Sequence, residues 1–317
     1  MINAPSDLNV SNIEDPVKRI LARYNHAKSI KGQWLSVFEE CYEYALPQRE
    51  SFFQETAGRR RTDRIFDETA VVGVQEFASR LQSGIVPNYA RWADFVAGSE
   101  VPEDLQKDTN LALDKITEYV FEVLQNSNFS QEVHETFLDI AVGTGVLLVE
   151  EGDAIQPIRF KAIPLPQVCL TSGYDDKIDG VYRTRSMKLK ELMFAYSKPI
   201  FNDKMAMDLE ANPDKEIKIV ESVYRDYSSV NTERHVFCAI AEEYNHKIYD
   251  EEYKGLGSNP YITYRWSKCA GEVYGRGPLQ FALPAIKTSN LVVELILENA
   301  QMSISGMYQV EDDGVIN

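Results

Sequence analysis

The chain has 317 residues, 44% of them hydrophobic and including 17 Tyr and 14 Phe, enough to bury one large core or two smaller ones and too many for a disordered chain. Its 33 basic residues are outnumbered by 49 acidic ones, and the formal net charge of -16 argues against a protein built for tight, sequence-independent adhesion to phosphate backbones. Four scattered cysteines, Cys41, Cys169, Cys238 and Cys269, make neither a disulfide framework nor a Cys-x-x-Cys knuckle and fit a reducing cytosol, and the polar, acidic opening MINAPSDLNVSNIEDP predicts no signal peptide or anchor.

Residues 1–14 read as a loose arm. Asp15 as N-cap and Pro16 at the first helical position predict a helix over 15–46, its apolar face carrying Ile20, Tyr24, Trp34, Phe38 and Tyr42. The run Arg59-Arg60-Arg61-Thr62-Asp63-Arg64 is the most basic point of the sequence and reads as a solvated loop or a salt-bridge donor between subunits before it reads as a DNA contact. A second helix is predicted over 64–86, stopped by Pro87, and two more over 103–126 and 130–142, the last capped by Ser130. Gly143-Thr144-Gly145 then marks a passage from helix into strand. A phosphate-binding loop needs the reverse order, so these glycines are expected to end a helix and let a strand pack closely.

Short strands are expected at 158–163, 167–171 and 180–184, separated by Pro164, Pro166 and Gly173. Ser186 reads as the cap of a helix over 187–197, a second helical piece extends to Ala211, and Asn212-Pro213-Asp214 breaks it. Residues 216–264 are rich in β formers and read as a small β insertion. Gly277-Pro278 opens the longest helical pattern, in which Leu279, Leu283, Ile286, Asn290, Val293, Leu297, Ala300 and Ile304 form an a/d-like stripe broken only by Asn290. Such a helix reaches about 40 Å, but Pro284, Lys287, Glu294 and Glu298 argue against a membrane span.

Catalytic signatures are missing. The four histidines contain no His-Glu-x-x-His, and no Walker A loop, Gly-x-Gly-x-x-Gly or Gly-x-Ser-x-Gly occurs. Asp175-Asp176-Lys177-Ile178-Asp179-Gly180 has the acidic look of a calcium loop, but Lys177 takes its third position and Ser186 the place of the bidentate Glu, so a turn between strands is expected. The pairs Glu150-Glu151 and Asp312-Asp313 are the only hint of a metal nuclease, and neighbours in a strand point to opposite faces. No cofactor, no metal and no catalytic residue is expected.

Several stretches, in order, carry a family resemblance. These are Arg64-x-x-Asp67-x-Thr69, Ala78-Ser79-x-Leu81, Pro87 with Arg91-Trp92, Gly143-Thr144-Gly145, Tyr264-Arg265-Trp266, Gly271-Glu272-Val273-Tyr274-Gly275-Arg276-Gly277-Pro278, Ala282-Leu283-Pro284-Ala285-Ile286-Lys287 and Val310-Glu311-Asp312-Asp313-Gly314-Val315. Together they cover most of the chain, and it resembles the portal, or head-to-tail connector, proteins of podovirus-type tailed bacteriophages. The resemblance implies an α+β ring subunit: a mainly helical wing with short strands over 1–185, a first stem helix region over 186–212, a β-rich clip over 213–264, a second stem helix over 265–306, and at 307–317 the start of a return to the wing whose remainder lies outside this sequence. It implies no enzymatic activity. The subunit would assemble with itself into a dodecameric ring at one capsid vertex of the virion, after synthesis in the bacterial host cytoplasm. Its partners would be the terminase large subunit, tail adaptor proteins, capsid and scaffolding protein, and double-stranded DNA passing through without sequence-specific contact. Tyr274, Gly275, Arg276, Gly277, Pro278, Pro284 and Lys287 are the motif residues. Glu294 and Glu298 are candidates to line the channel, and Tyr224, Arg225, Tyr227, Tyr244 and Tyr249 to form a docking surface on the clip. A metal-dependent nuclease of phage origin and a cellular helical scaffold are the alternatives from other classes.

Overall fold

The computed structural model describes residues 15–49, 52, 64–227 and 233–305. The expected arm over 1–14, the arginines at 59–61 and the motif at 310–315 lie outside the described residues. The elements follow as α1 (Pro16–Gly32), α2 (Leu35–Ala45), α3 (Thr69–Ile85), α4 (Glu103–Asn126), α5 (Phe129–Val142), β1 (Thr144–Glu151), β2 (Ile158–Ala162), β3 (Val168–Ser172), β4 (Ile178–Lys188), α6 (Leu192–Ala195), α7 (Asp203–Ala211), β5 (Glu216–Arg225), β6 (Arg234–Ala241), β7 (His246–Lys254), β8 (Tyr261–Arg265) and α8 (Pro278–Ser305). The class is α+β. Two antiparallel sheets have the orders β2-β1-β8 and β3-β4-β5-β6-β7.

Asp15 caps α1 as its sequence position suggests, accepting from the Val17 amide, with Pro16 in the first turn. The single helix expected over 15–46 is instead two. The Gln33 and Trp34 amides bond three residues back, to the Ile30 and Lys31 carbonyls, and this tighter turn lets the chain change direction. The break serves two burial demands that one straight helix cannot meet. Val17, Ile20, Tyr24 and Ala27 of α1 cover one face of the five-stranded sheet, against Cys169, Tyr182, Val220, Cys238 and Ile240. Phe38, Cys41, Tyr42 and Ala45 of α2 enter the main core, which gathers α3, α5, β1, β2 and the opposite face of β3 and β4.

A second correction concerns residues 186–212. Ser186 caps no helix, because β4 runs on to Lys188 and pairs Ser186 with Lys218, Met187 with Ile217 and Lys188 with Glu216. Nine paired positions in that ladder, with Ile217 fully buried, outweigh the local helical period. Residues Leu189–Glu191 make a 3-10 turn, and the short α6 and α7 lay Leu192, Tyr196 and Met205 over Ile217, Ile219, Ala239, Ala241 and Ile248 as a second core. The helix expected over 187–197 is thus not formed beyond the short α6, whereas the second helical piece expected up to Ala211 is present as α7. Nor do residues 213–264 stand apart as a β insertion: β5, β6 and β7 extend the sheet begun by β3 and β4, and β8 pairs with β1. The last element, α8, starts at Pro278 as expected and continues through Pro284 for 28 residues.

Candidate functional site

The motif residues converge on a crossing of backbones where α5 ends, β1 begins and α8 starts. Gly143 closes α5 at φ +145°, and a Cβ on it would lie 2.1 Å from the Gly275 carbonyl oxygen. The contact is mutual. A Cβ on Gly275 would lie 2.3 Å from the Gly143 oxygen, and one on Gly277 would lie 2.2 Å from the Ala141 oxygen. Only residues without side chains let the two segments touch, and their polar groups then pair across the contact. Gly275 N–H donates to Thr144 Oγ1 (2.9 Å), Gly277 N–H to the Val142 carbonyl (3.1 Å), Trp266 N–H to the Gly143 carbonyl (2.9 Å), and Gln280 Nε2 also to Val142 O (2.6 Å).

Tyr274 and Arg276 anchor the crossing on either side. Tyr274 is fully buried, edge-on to Phe38 at 5.5 Å and tilted against Trp34 at 6.2 Å, and its phenol oxygen accepts from the Leu170 amide at 3.1 Å. Burial pushes that phenol far above its ordinary value, so it is neutral at any working pH. Arg276 pairs bidentately with Glu272 (2.5 and 2.9 Å) and lies over Trp34 at 5.1 Å. Beneath the crossing, Asp139 on α5 is fully buried against Tyr42 and holds Arg49 at 2.8 Å, with Glu135 on the other guanidinium nitrogen. Burial outweighs the pull of Arg49 and pushes the Asp139 carboxyl up to about 6.

From this base α8 crosses the body. Lys287 pairs with Glu40 at 2.7 Å and sits over the Tyr44 ring. Asn290 binds the chain ahead of α3, accepting from the Phe66 and Asp67 amides and donating to the Arg64 carbonyl, while Ser289 donates to Asp67. Asn290 is the last buried residue of the helix. Past it, Leu291, Val292, Leu295, Ile296, Leu297, Met302 and Ile304 are all exposed, among Glu294 and Glu298. The outer half of the apolar stripe therefore holds no buried residue within the described residues, Val293 alone of it being partly covered.

The five residues named for docking divide between the two faces and two ends of the larger sheet. Tyr224 lies on the face covered by α1, under Arg23. Tyr249 stacks on Tyr196 on the other face, at 5.7 Å. Tyr244, in the β6–β7 turn, bonds Asp208 and Lys215. Tyr227 lies two residues past the end of β5, exposed, donating to Asp179, with Arg225 over its ring and the exposed Tyr174 beside it. They form no single surface. Of the five only Tyr227 is exposed, next to the exposed Tyr174, whereas Tyr224, Arg225, Tyr244 and Tyr249 are half-buried.

Gly143-Thr144-Gly145 and the acidic turn at 175–180 take the structural roles their sequences suggest: a helix end, and the β3–β4 connection, where the Gly173 amide bonds the Lys177 carbonyl. Among the described residues no group of three His, Cys, Asp or Glu side chains converges as a metal site, and no helix is long and apolar enough to cross a membrane. Sequence reading missed the Asp139, Arg49 and Tyr42 cluster, whose members lie far apart in the chain. It noticed Asn290 as an interruption without seeing its purpose, which only the position of residues 64–67 reveals. A probable portal protein of Bordetella phage BPP-1 is 19% identical over 289 residues, covering 85% of this chain and 50% of the relative, so the chain spans about half the length of the curated relative it matches. The family model described as bacteriophage head to tail connecting protein matches residues 17–317. With nearly every described element inside that match, the chain belongs to the bacteriophage head-to-tail connecting protein family.

Proposed function

We propose that this protein is a portal subunit that assembles head-to-tail into a closed ring at one capsid vertex, the passage for DNA during packaging and ejection. The observation that carries the reading is the outer half of α8. Seven large apolar side chains there face solvent on a helix that is rigidly seated at its base, a patch that a soluble chain keeps only where something covers it. A ring built from one repeated contact needs two different faces on each subunit, and a projecting apolar helix supplies one of them. The net charge of -16 suits a channel past which phosphates slide rather than stick. Glu294 and Glu298 on α8 are the carboxylates proposed to face it, and twelve copies is the count the family likeness suggests.

The role is passive and structural: capsid and scaffolding protein hold the ring, the terminase large subunit docks on it and supplies the ATP-driven motion, and tail adaptors replace the terminase afterwards. Of the docking candidates, the exposed Tyr227 and the half-buried Arg225 over its ring are the pair to test. Because β5–β7 belong to the main sheet, point substitution is the usable probe, and Tyr227→Ala with Arg225→Ala is expected to weaken terminase or adaptor capture while leaving assembly intact. Negative-stain microscopy tests the central reading. Closed rings of the purified protein support it, and a compact monomer by light scattering at high concentration overturns it.

A further inference from the structure

Asn290 is the only polar side chain buried along α8, 7% exposed, and it occupies the place in the apolar stripe where a leucine would be at home. Its amide is used on both sides. Oδ1 accepts from Phe66 N (2.7 Å) and Asp67 N (3.2 Å), and Nδ2 donates to Arg64 O (3.0 Å), so one side chain satisfies three backbone groups of a segment 223 to 226 positions away. Next to it, Ser289 donates to Asp67, and the same carboxylate accepts from the amide and hydroxyl of Thr69 at the start of α3. No residue of α8 after Asn290 is buried.

We propose that Asn290 is a positioning residue that fixes the direction in which the outer half of α8 leaves the body. Leu279 and Leu283 hold the base by burial, which is non-directional, Gln280 fixes only the first turn through Val142, and the solvent-exposed Lys287–Glu40 pair restrains rotation and sideways swing poorly. Three hydrogen bonds of fixed geometry at one point supply what burial lacks. The lever is long: residues 291–305 extend about 22 Å past the clamp, so a swing of roughly 10° there moves the tip by about 4 Å. For a helix proposed to sit against copies of itself, that displacement decides whether the repeat closes. This last consequence rests on the portal reading, whereas the positioning itself is a property of the single chain.

The test measures α8 direction without requiring a ring. Spin labels go at Ser79→Cys on α3 and Ser303→Cys near the α8 tip, both exposed, in a Cys269→Ser background where the three other cysteines are buried, with labelled chains diluted into unlabelled ones. The parent is expected to give one narrow distance peak. Asn290→Leu, which leaves three backbone groups unpaired, is expected to lose that single peak, while Asn290→Asp, which retains an acceptor for the two amides, keeps part of it. Leu283→Ala weakens the helix base without touching the clamp and is expected to lower the melting temperature while preserving the narrow peak. If Asn290→Leu does not fold, the comparison of Asn290→Asp with Leu283→Ala decides. A clamp variant as narrow as the parent, or a Leu283→Ala distribution as broad as that of the clamp variant, overturns the proposal. Ring counts on the same samples report on the portal reading separately.

Discussion

Three glycines, 143, 275 and 277, matter here for the absence of a side chain more than for mobility, since a methyl group on any of them would overlap a facing carbonyl oxygen, at 2.1–2.3 Å. Gly277→Ala or Gly143→Ala is therefore expected to cost about 3 kcal/mol or more, from forced separation of two backbones that carry each other's hydrogen bonds. Urea unfolding measures it, and a loss below about 1 kcal/mol would contradict the crossing. Tyr274→Phe is milder. It keeps the ring against Phe38 and Trp34 but strands the buried Leu170 amide, for about 1–2 kcal/mol. Asp139 has a pH signature. A carboxyl that holds its proton more tightly in the folded chain, up to about 6, than in the unfolded one, near about 4, binds more protons when native. Its contribution therefore favours folding at the acid end and is lost as pH rises across that window. Carboxylates such as Asp67 and Asp208, hydrogen-bonded and held below the ordinary range, act in the opposite sense, so the readout is the difference from Asp139→Asn. That difference should fall between about pH 4 and pH 6 and then level off.

Among the elements, α8 was legible from sequence because Pro278 and the apolar stripe are local signals, and α4 and α5 were placed closely for the same reason. The stretch from Ser186 misled. Its helical period is real, but the strand partner that overrides it lies some thirty residues later, in β5, and pairing of that kind leaves no mark in a local window. The candidate site divided along the same line: Tyr274, Gly275 and Gly277 could be named as a motif, while the reason for them, the end of α5, is supplied by tertiary structure. The two halves of α8 should also differ in dynamics. The half over 279–290 carries all three buried residues of the helix, Leu279, Leu283 and Asn290, and among the described residues the half over 291–305 carries none. Hydrogen exchange on the unassembled protein is expected to be faster in the outer half, and that difference should vanish on assembly. Equal rates before and after would mean that assembly does not use this helix.

Across the described residues, two antiparallel sheets and the helices packed on them carry one long helix, α8, whose outer half holds no buried residue. Purified protein is expected to turn over neither nucleic acid nor ATP with Mg²⁺ or Mn²⁺, and a metal-dependent cleavage that disappears in Glu150→Gln would overturn that. The glycine crossing also has a bearing on how the chain is made. Gly275 meets Thr144 across 131 positions, and Gln280 meets Val142 across 138. A ribosome delivers α5 and β1 long before the strand and turn that close over them. Until Tyr261–Pro278 emerges, β1 has one edge open and the end of α5 has no lid. Such late closure places the slow step of folding near the end of this segment and leaves an unpaired strand edge exposed to other nascent copies in the meantime. Chains halted before Tyr261 should accordingly bind chaperones and resist refolding, whereas chains halted after Ser305 should not, and pulse proteolysis of staged truncations would locate the transition.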